Sequence, residues 1–140
     1  MGVLKKIISG KTVHYSIGAI IKKGEKILLI DRAIPPSGFA CPAGHVDEGE
    51  SSEEALKREI MEETSLKVTD CELVFQGMLK NNWCNKGATQ HQWKVFACKV
   101  KGRVKKNDES KSIGWYTPEE IRKLDLESSW TFLFKSIGII

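Results

Sequence analysis

Residues 44–66, GHVDEGESSEEALKREIMEETSL, carry eight acidic side chains against two basic ones. No other stretch constrains the fold as strongly. Like charges at helical spacing repel each other, yet every other signal in the segment favours a helix. Ser51 followed by Glu54 fits a capping box, in which each residue satisfies the other's backbone N–H. Residues 52–64 contain no proline or glycine and are rich in good helix formers. Leu56 and Ile60 are four apart and share an apolar stripe that can face a core. Asp47, Glu48 and Glu50 precede the cap and fall in a loop. Glu59, Glu62 and Glu63 fall within one turn and span about 100° of its circumference. One reading is a solvated, glutamate-rich surface helix. The other is a cation held against that face.

Strands and turns surround this helix. Residues 12–23, TVHYSIGAIIKK, are rich in β-branched and aromatic residues and read as a strand. Residues 22–26, KKGEK, form a turn signal in which Gly24 can take positive φ. Residues 27–32 read as the returning strand, and the prolines of residues 34–38, IPPSG, break regular structure. Residues 72–80 and 90–100 read as strands flanking a polar loop at 81–89. Residues 112–117 form a short strand. A helix starts at Pro118, with Thr117 as its cap. In the tail, Trp130, Leu133, Phe134 and Ile137 recur at i, i+3, i+4 and i+7, the face of a buried helix. Helices and strands with hairpin connections predict an α/β (α+β) fold, a mixed β-sheet covered by helices.

The chain of 140 residues fits one domain, 1–140, and no repeat or linker divides it. No apolar run reaches the length of a membrane span and no signal-peptide pattern opens the chain, so a cytoplasmic protein is expected. Cys41, Cys71, Cys84 and Cys98 form no CxxC pair, which argues against a zinc knuckle and for free thiols. Net charge is +4, but outside residues 44–66 the chain carries 20 basic against 10 acidic side chains. A local acidic patch on a basic background suits a divalent cation together with an anionic ligand. The lysines form no dense patch with interleaved aromatics, which ranks nucleic-acid binding lower.

The spacing of the acidic segment is the most specific signal in the sequence. Gly44, five residues, Glu50, seven residues, then Arg58-Glu59-Ile60-x-Glu62-Glu63-x-Ser65-Leu66 resembles the Nudix box. That pattern is G, five residues, E, seven residues, R-E-U-x-E-E-x-G-U, with U aliphatic. One position departs: Ser65 stands where the family has glycine. A glycine just past a helix end supplies a left-handed residue, so serine there is expected either to cost roughly 1 kcal/mol in strain or to change the shape of the cap, and in both cases to leave the upstream carboxylates intact. SGFACPAGHVDEGE resembles the family's lead-in. Glu109, followed after five residues by Trp115, resembles the late loop that supplies a further carboxylate in some members. The resemblance covers roughly residues 13–124.

The resemblance implies an α/β/α sandwich with a mixed sheet. It also implies cleavage of a pyrophosphate bond in a nucleoside diphosphate linked to another moiety, with Mg²⁺ or Mn²⁺. Such ions prefer oxygen ligands, and they reverse the repulsion between carboxylates and phosphate. By this resemblance Glu59, Glu62 and Glu63 are metal ligands, and Gly44 offers a backbone carbonyl. Glu59 aligns or deprotonates the attacking water, with Glu109 as competitor. Glu50 braces the loop by pairing with Arg58, whose planar fork can also orient Glu59. Arg32 is a candidate for phosphate contact, against a plain surface strand end. Phe39, Trp83 and Trp93 are candidates for base stacking, against core positions. His45 and His91 read as solvated or structural. A nucleoside triphosphate, oxidised forms included, is the expected substrate. Two alternatives stay open: a nucleotide-sensing module without catalysis, and an isopentenyl-diphosphate isomerase. A homodimer is compatible with the family.

Overall fold

The computed structural model describes residues 2–8, 10–80 and 90–140. Trp83, Cys84 and the polar loop at 81–89 therefore lie outside the described residues. The elements are β1 (Lys5–Ile8), β2 (Lys11–Lys23), β3 (Lys26–Arg32), β4 (Gly38–Ala40), β5 (Ala43–His45), α1 (Ser52–Thr64), β6 (Lys67–Leu79), β7 (Gln90–Lys101), β8 (Ser110–Tyr116), α2 (Pro118–Lys123) and α3 (Ser128–Ile137).

Strand β2 is the axis of the molecule. It runs parallel to β7, with Val13–Ile21 opposite Gln90–Cys98. Its other edge pairs antiparallel with β1 and β5. It meets β3 only at the hairpin end, where Lys22 and Lys23 face Ile27 and Lys26. Gly24 turns that hairpin with φ +63. Beyond it, β3 pairs with β4 and β8 instead. The two groups of strands are thus joined at one end and part towards the other, and a cavity of about 340 Å³ opens between them.

Alternation along the strands sorts the core into two layers. Ile17, Ala19 and Ile21 of β2 pack with Phe96 and Cys98 against Ala55, Leu56 and Ile60 of α1. Ile20 packs on the opposite side with Trp93, Val95, Ile121 of α2, and Trp130, Leu133 and Phe134 of α3. Full burial of a side chain such as Leu56 or Ile60 stabilises by roughly 1.5–3 kcal/mol. These contacts hold α1 against the sheet. The result is a mixed sheet with helices on both faces, as the sequence predicts. Strand β6 begins at Lys67 rather than at residue 72, because its pairing with β7 starts at Lys67–Lys101, directly after the helix. Strands β1, β4 and β5 carry no legible sequence signal. They are three or four residues long and exist through their partners.

Both capping boxes form, at Ser51–Glu54 and at Thr117–Glu120. Helix α1 ends at Ser65, which holds the left-handed conformation (φ 66, ψ 11) and donates its N–H to Met61 O at 3.0 Å. Among the described residues it is the only non-glycine with positive φ. A left-handed non-glycine residue costs roughly 1–2 kcal/mol. Glycine's greater freedom in the unfolded chain offsets about 0.4–1 kcal/mol of that. Ser65→Gly is therefore expected to stabilise the chain by about 1 kcal/mol, read as a rise of a few degrees in Tm. A lower Tm would show that the serine side chain stabilises this turn.

Candidate active site

The site is organised around Arg58. Its guanidinium meets Glu50 in a two-pronged pair, Nε to Oε2 at 2.8 Å and Nη2 to Oε1 at 2.9 Å. Nη1 donates to Glu59 Oε1 at 2.8 Å, and Nη2 donates to the carbonyl of His45 at 3.0 Å. Asp47 and Glu62 stand at 3.4 and 3.5 Å. Glu50 Oε1 also accepts the N–H of Asp47. One side chain thus ties β5, the loop behind it and the helix into a single unit. The Arg58 hydrogen bond holds the Glu50 carboxyl below the usual carboxylate range, against the opposing effect of burial. Arg58 is itself held more firmly protonated, chiefly by Glu50.

Glu59 and Glu63 are successive turns of one helix face and line the cavity with Gly44 and Glu109. Glu59 lies so close over Gly44 that a Cβ there would overlap its carboxyl group. That close approach is the local reason for glycine at this position. Glu63 accepts the N–H of Ala43 at 3.0 Å. Burial pushes the Glu59 carboxyl up to about 7 despite Arg58, with the charges of Glu62 and Glu109 adding to the effect. Glu63 lies well above the ordinary carboxylate range, from burial first and from the Glu59 charge second. Two desolvated carboxylates on one helix face, the charge of Glu59 raising Glu63, form with Glu109 the oxygen donor set that suits a hard divalent cation. The residues present fit such an ion.

Glu109 reaches the cavity through the end of α1. Lys105 N–H donates to the terminal carbonyl of Thr64 at 2.8 Å, and Asn107 Nδ2 donates to the carbonyl of Glu62 at 3.1 Å. Asn107 Oδ1 in turn accepts the N–H of Glu109 at 3.0 Å. The open carbonyls of a helix C-terminus thereby recruit the loop that carries the third carboxylate. Nothing in the sequence signals the hold of Asn107 on the helix, because its bond to the Glu62 carbonyl joins segments 45 residues apart.

The remaining candidates divide. Glu62 is on the outer rim, 56% exposed, and does not line the cavity. The turn that sets Glu59 and Glu63 on one face turns Glu62 aside. Arg32 lines the cavity and donates from Nε to the Pro36 carbonyl at 2.7 Å. Phe39 is packed edge-on against Tyr116, with ring centres 5.7 Å apart, and is not among the cavity residues. Trp93 lines the cavity floor and packs edge-on against Trp130. His45 and His91 are not isolated. They meet each other and His14 at the cavity wall, a cluster that reading each histidine separately misses.

Comparison with known proteins identifies the class that this fold and site define. The NUDIX domain family matches residues 12–134, and the chain belongs to that family of hydrolases, whose members act on diphosphate bonds. Among its relatives is the nucleoside triphosphatase NudI of Enterobacter sp. (strain 638). The two are 31% identical over 117 residues, covering 79% of this chain and 83% of NudI. An ADP-ribose pyrophosphatase of Methanocaldococcus jannaschii is 51% identical over 53 residues, covering 36% of this chain and 31% of that protein. The crystal structure of the MutT NUDIX hydrolase from Burkholderia pseudomallei superposes with a TM-score of 0.69 at 25% identity. That match covers 77% of this chain and 85% of the other. Among the described residues no helix is long and apolar enough to cross a membrane.

The raised Glu59 carboxyl has a consequence for stability. Between the ordinary value of 4.5 and about 7 the folded chain binds more protons at Glu59 than the unfolded chain. Stability from this group is therefore full below about 4.5 and falls as pH rises through about 7. A divalent cation held by Glu59 would require the deprotonated carboxylate, so its stabilisation would grow over the same window. Thermal melts in chelator should show Tm falling between pH 5 and 7.5 more steeply for the native chain than for Glu59→Gln. The Tm increment from added Mg²⁺ should be larger at pH 7.5. Equal slopes for the two proteins would remove Glu59 from the account.

Proposed function

We propose that this chain is a divalent-metal-dependent pyrophosphohydrolase that cuts nucleoside triphosphates to a monophosphate and pyrophosphate. The observation that carries the reading is the pair of desolvated carboxylates, Glu59 and Glu63, facing Glu109 across the cavity. Similarity to NudI over 83% of that protein's length supports the substrate class.

In this reading Glu59 and Glu63 hold Mg²⁺ or Mn²⁺ from the cavity wall, with Glu62 at the rim and the Gly44 carbonyl beside them. A bound divalent cation supplies charge neutralisation for phosphate oxygens and a water of lowered pKa. Arg58 acts as a positioning residue: it fixes Oε1 of Glu59, a residue that lines the cavity. Glu59 is the favoured acceptor of the attacking water's proton, as its position in the family pattern implies, and it lines the cavity where Arg58 holds it. Glu109, on the facing loop, competes for that role. Arg32, a cationic residue lining the cavity, offers charge to a substrate phosphate.

The test is turnover over a panel of nucleoside di- and triphosphates, nucleotide sugars, ADP-ribose, dinucleoside polyphosphates and prenyl diphosphates, with Mg²⁺ and Mn²⁺. Nucleoside triphosphates should give the highest kcat/KM. Glu59→Gln should lower kcat by roughly 10²–10⁴-fold, the usual contribution of a general base. Glu63→Gln should lose turnover on a similar scale, with the fold retained in both. Near-normal turnover in both variants would overturn the reading. Tight nucleotide binding without any product would instead support a sensing module, and interconversion of prenyl diphosphates would point to an isomerase.

A further inference from the structure

We propose that His14, His45 and His91 form a second metal site, chemically distinct from the carboxylates and suited to Zn²⁺. Three neighbouring strands build it. The parallel register of β2 and β7 sets His14 opposite His91. The antiparallel register of β2 and β5 sets His45 opposite Ser16, two residues along from His14 and so on the same face of the sheet.

The three rings converge. One nitrogen from each lies within 4.8 Å of the others. His45 Nε2 and His91 Nε2 are 3.3 Å apart. Two imidazole nitrogens on one tetrahedral Zn²⁺, each about 2.0–2.1 Å from the ion, are separated by about 3.3–3.4 Å. The pair already has the length of a tetrahedral edge. Its two rings are near parallel, at 29°, while His14 stands across them at 88° and 79°. His14 and His91 are 3% and 2% exposed, and all three are carried on strands rather than loops. Such placement limits how far the ligands can drift. A hydrogen bond between two imidazoles would account for the 3.3 Å contact alone. Convergence of one nitrogen from each of three rings is the arrangement that a single ion held by all three requires.

Three protein ligands leave a tetrahedral ion with one open position. His45 and His91 line the cavity and His14 does not, so that position falls on the cavity side. Imidazole nitrogen suits Zn²⁺, whereas carboxylate oxygen suits Mg²⁺ and Mn²⁺. The two donor sets on one cavity therefore separate ions by chemistry.

The test uses the intact chain, stripped of metal and titrated with Zn²⁺ in excess Mg²⁺. One Zn²⁺ should be retained per chain after dialysis. His14→Gln, His45→Gln and His91→Gln should each weaken it by more than the roughly 10–100-fold that loss of a partner behind a ligand costs. The Glu59→Gln, Glu63→Gln double variant should retain it, which separates this site from the carboxylates. X-ray absorption at the zinc edge of the native protein needs no variant and should show three imidazole ligands. No retained Zn²⁺, an all-oxygen shell, or loss in the glutamate variant with the histidine variants unchanged would overturn the proposal.

Discussion

The contacts of one guanidinium hold the site in shape. Arg58 binds Glu50 through two parallel bonds, Glu59 through a third and the His45 carbonyl through a fourth. Ion pairs open to water contribute little because solvent screens them. This network differs because its members are largely covered, with Glu50 and Glu59 each 16% exposed, and because the donors match the acceptors in a fixed fork. Breaking it would release both the loop of Asp47 and Glu50 and the carboxyl of Glu59. The flat packing of Glu59 on Gly44 and the grip of Asn107 on Glu62 and Glu109 then complete the frame.

That frame carries a concentration of charge that the fold alone does not favour. Helix α1 has acids in its first turn, where the helix dipole favours them. Its last turn has no basic residue, and Glu62 and Glu63 sit there, at the end that favours cations. Glu59 adds a third carboxylate one turn earlier. The chain keeps this arrangement by burying two of the three and accepting raised pKa values for both. A stable surface helix would place lysine or arginine at that end instead. A cation bound at that end would offset the local cost of this arrangement.

Much of this was legible in the amino-acid order, and what was not follows a physical pattern. Helix α1, its cap, the left-handed Ser65 and the burial of Leu56 and Ile60 depend on contacts within a turn or on a simple period, so spacing reveals them. The Glu50–Arg58 pairing was legible because the family pattern contains it. Glu62 was not distinguished from its neighbours, since exposure depends on what packs against the helix rather than on the helix itself. Phe39 read as a candidate for stacking because composition does not show that Tyr116 takes its ring. The histidine cluster was hidden for a stronger reason. His14 and His91 are 77 positions apart in the chain and meet only through the register of a parallel strand pair, which no local pattern encodes. Asn107 was hidden in the same way.

In the proposed mechanism Glu59 and Glu63 hold a divalent cation in the cavity between the parted strands. Paramagnetic resonance of free Mn²⁺ reads this directly, since bound ion leaves the free-ion signal. Titration of the native chain with Mn²⁺ at pH 7.5 should show saturable binding that disappears in Glu59→Gln and Glu63→Gln and persists in Phe39→Leu. Unchanged Mn²⁺ binding in both glutamate variants would contradict the account.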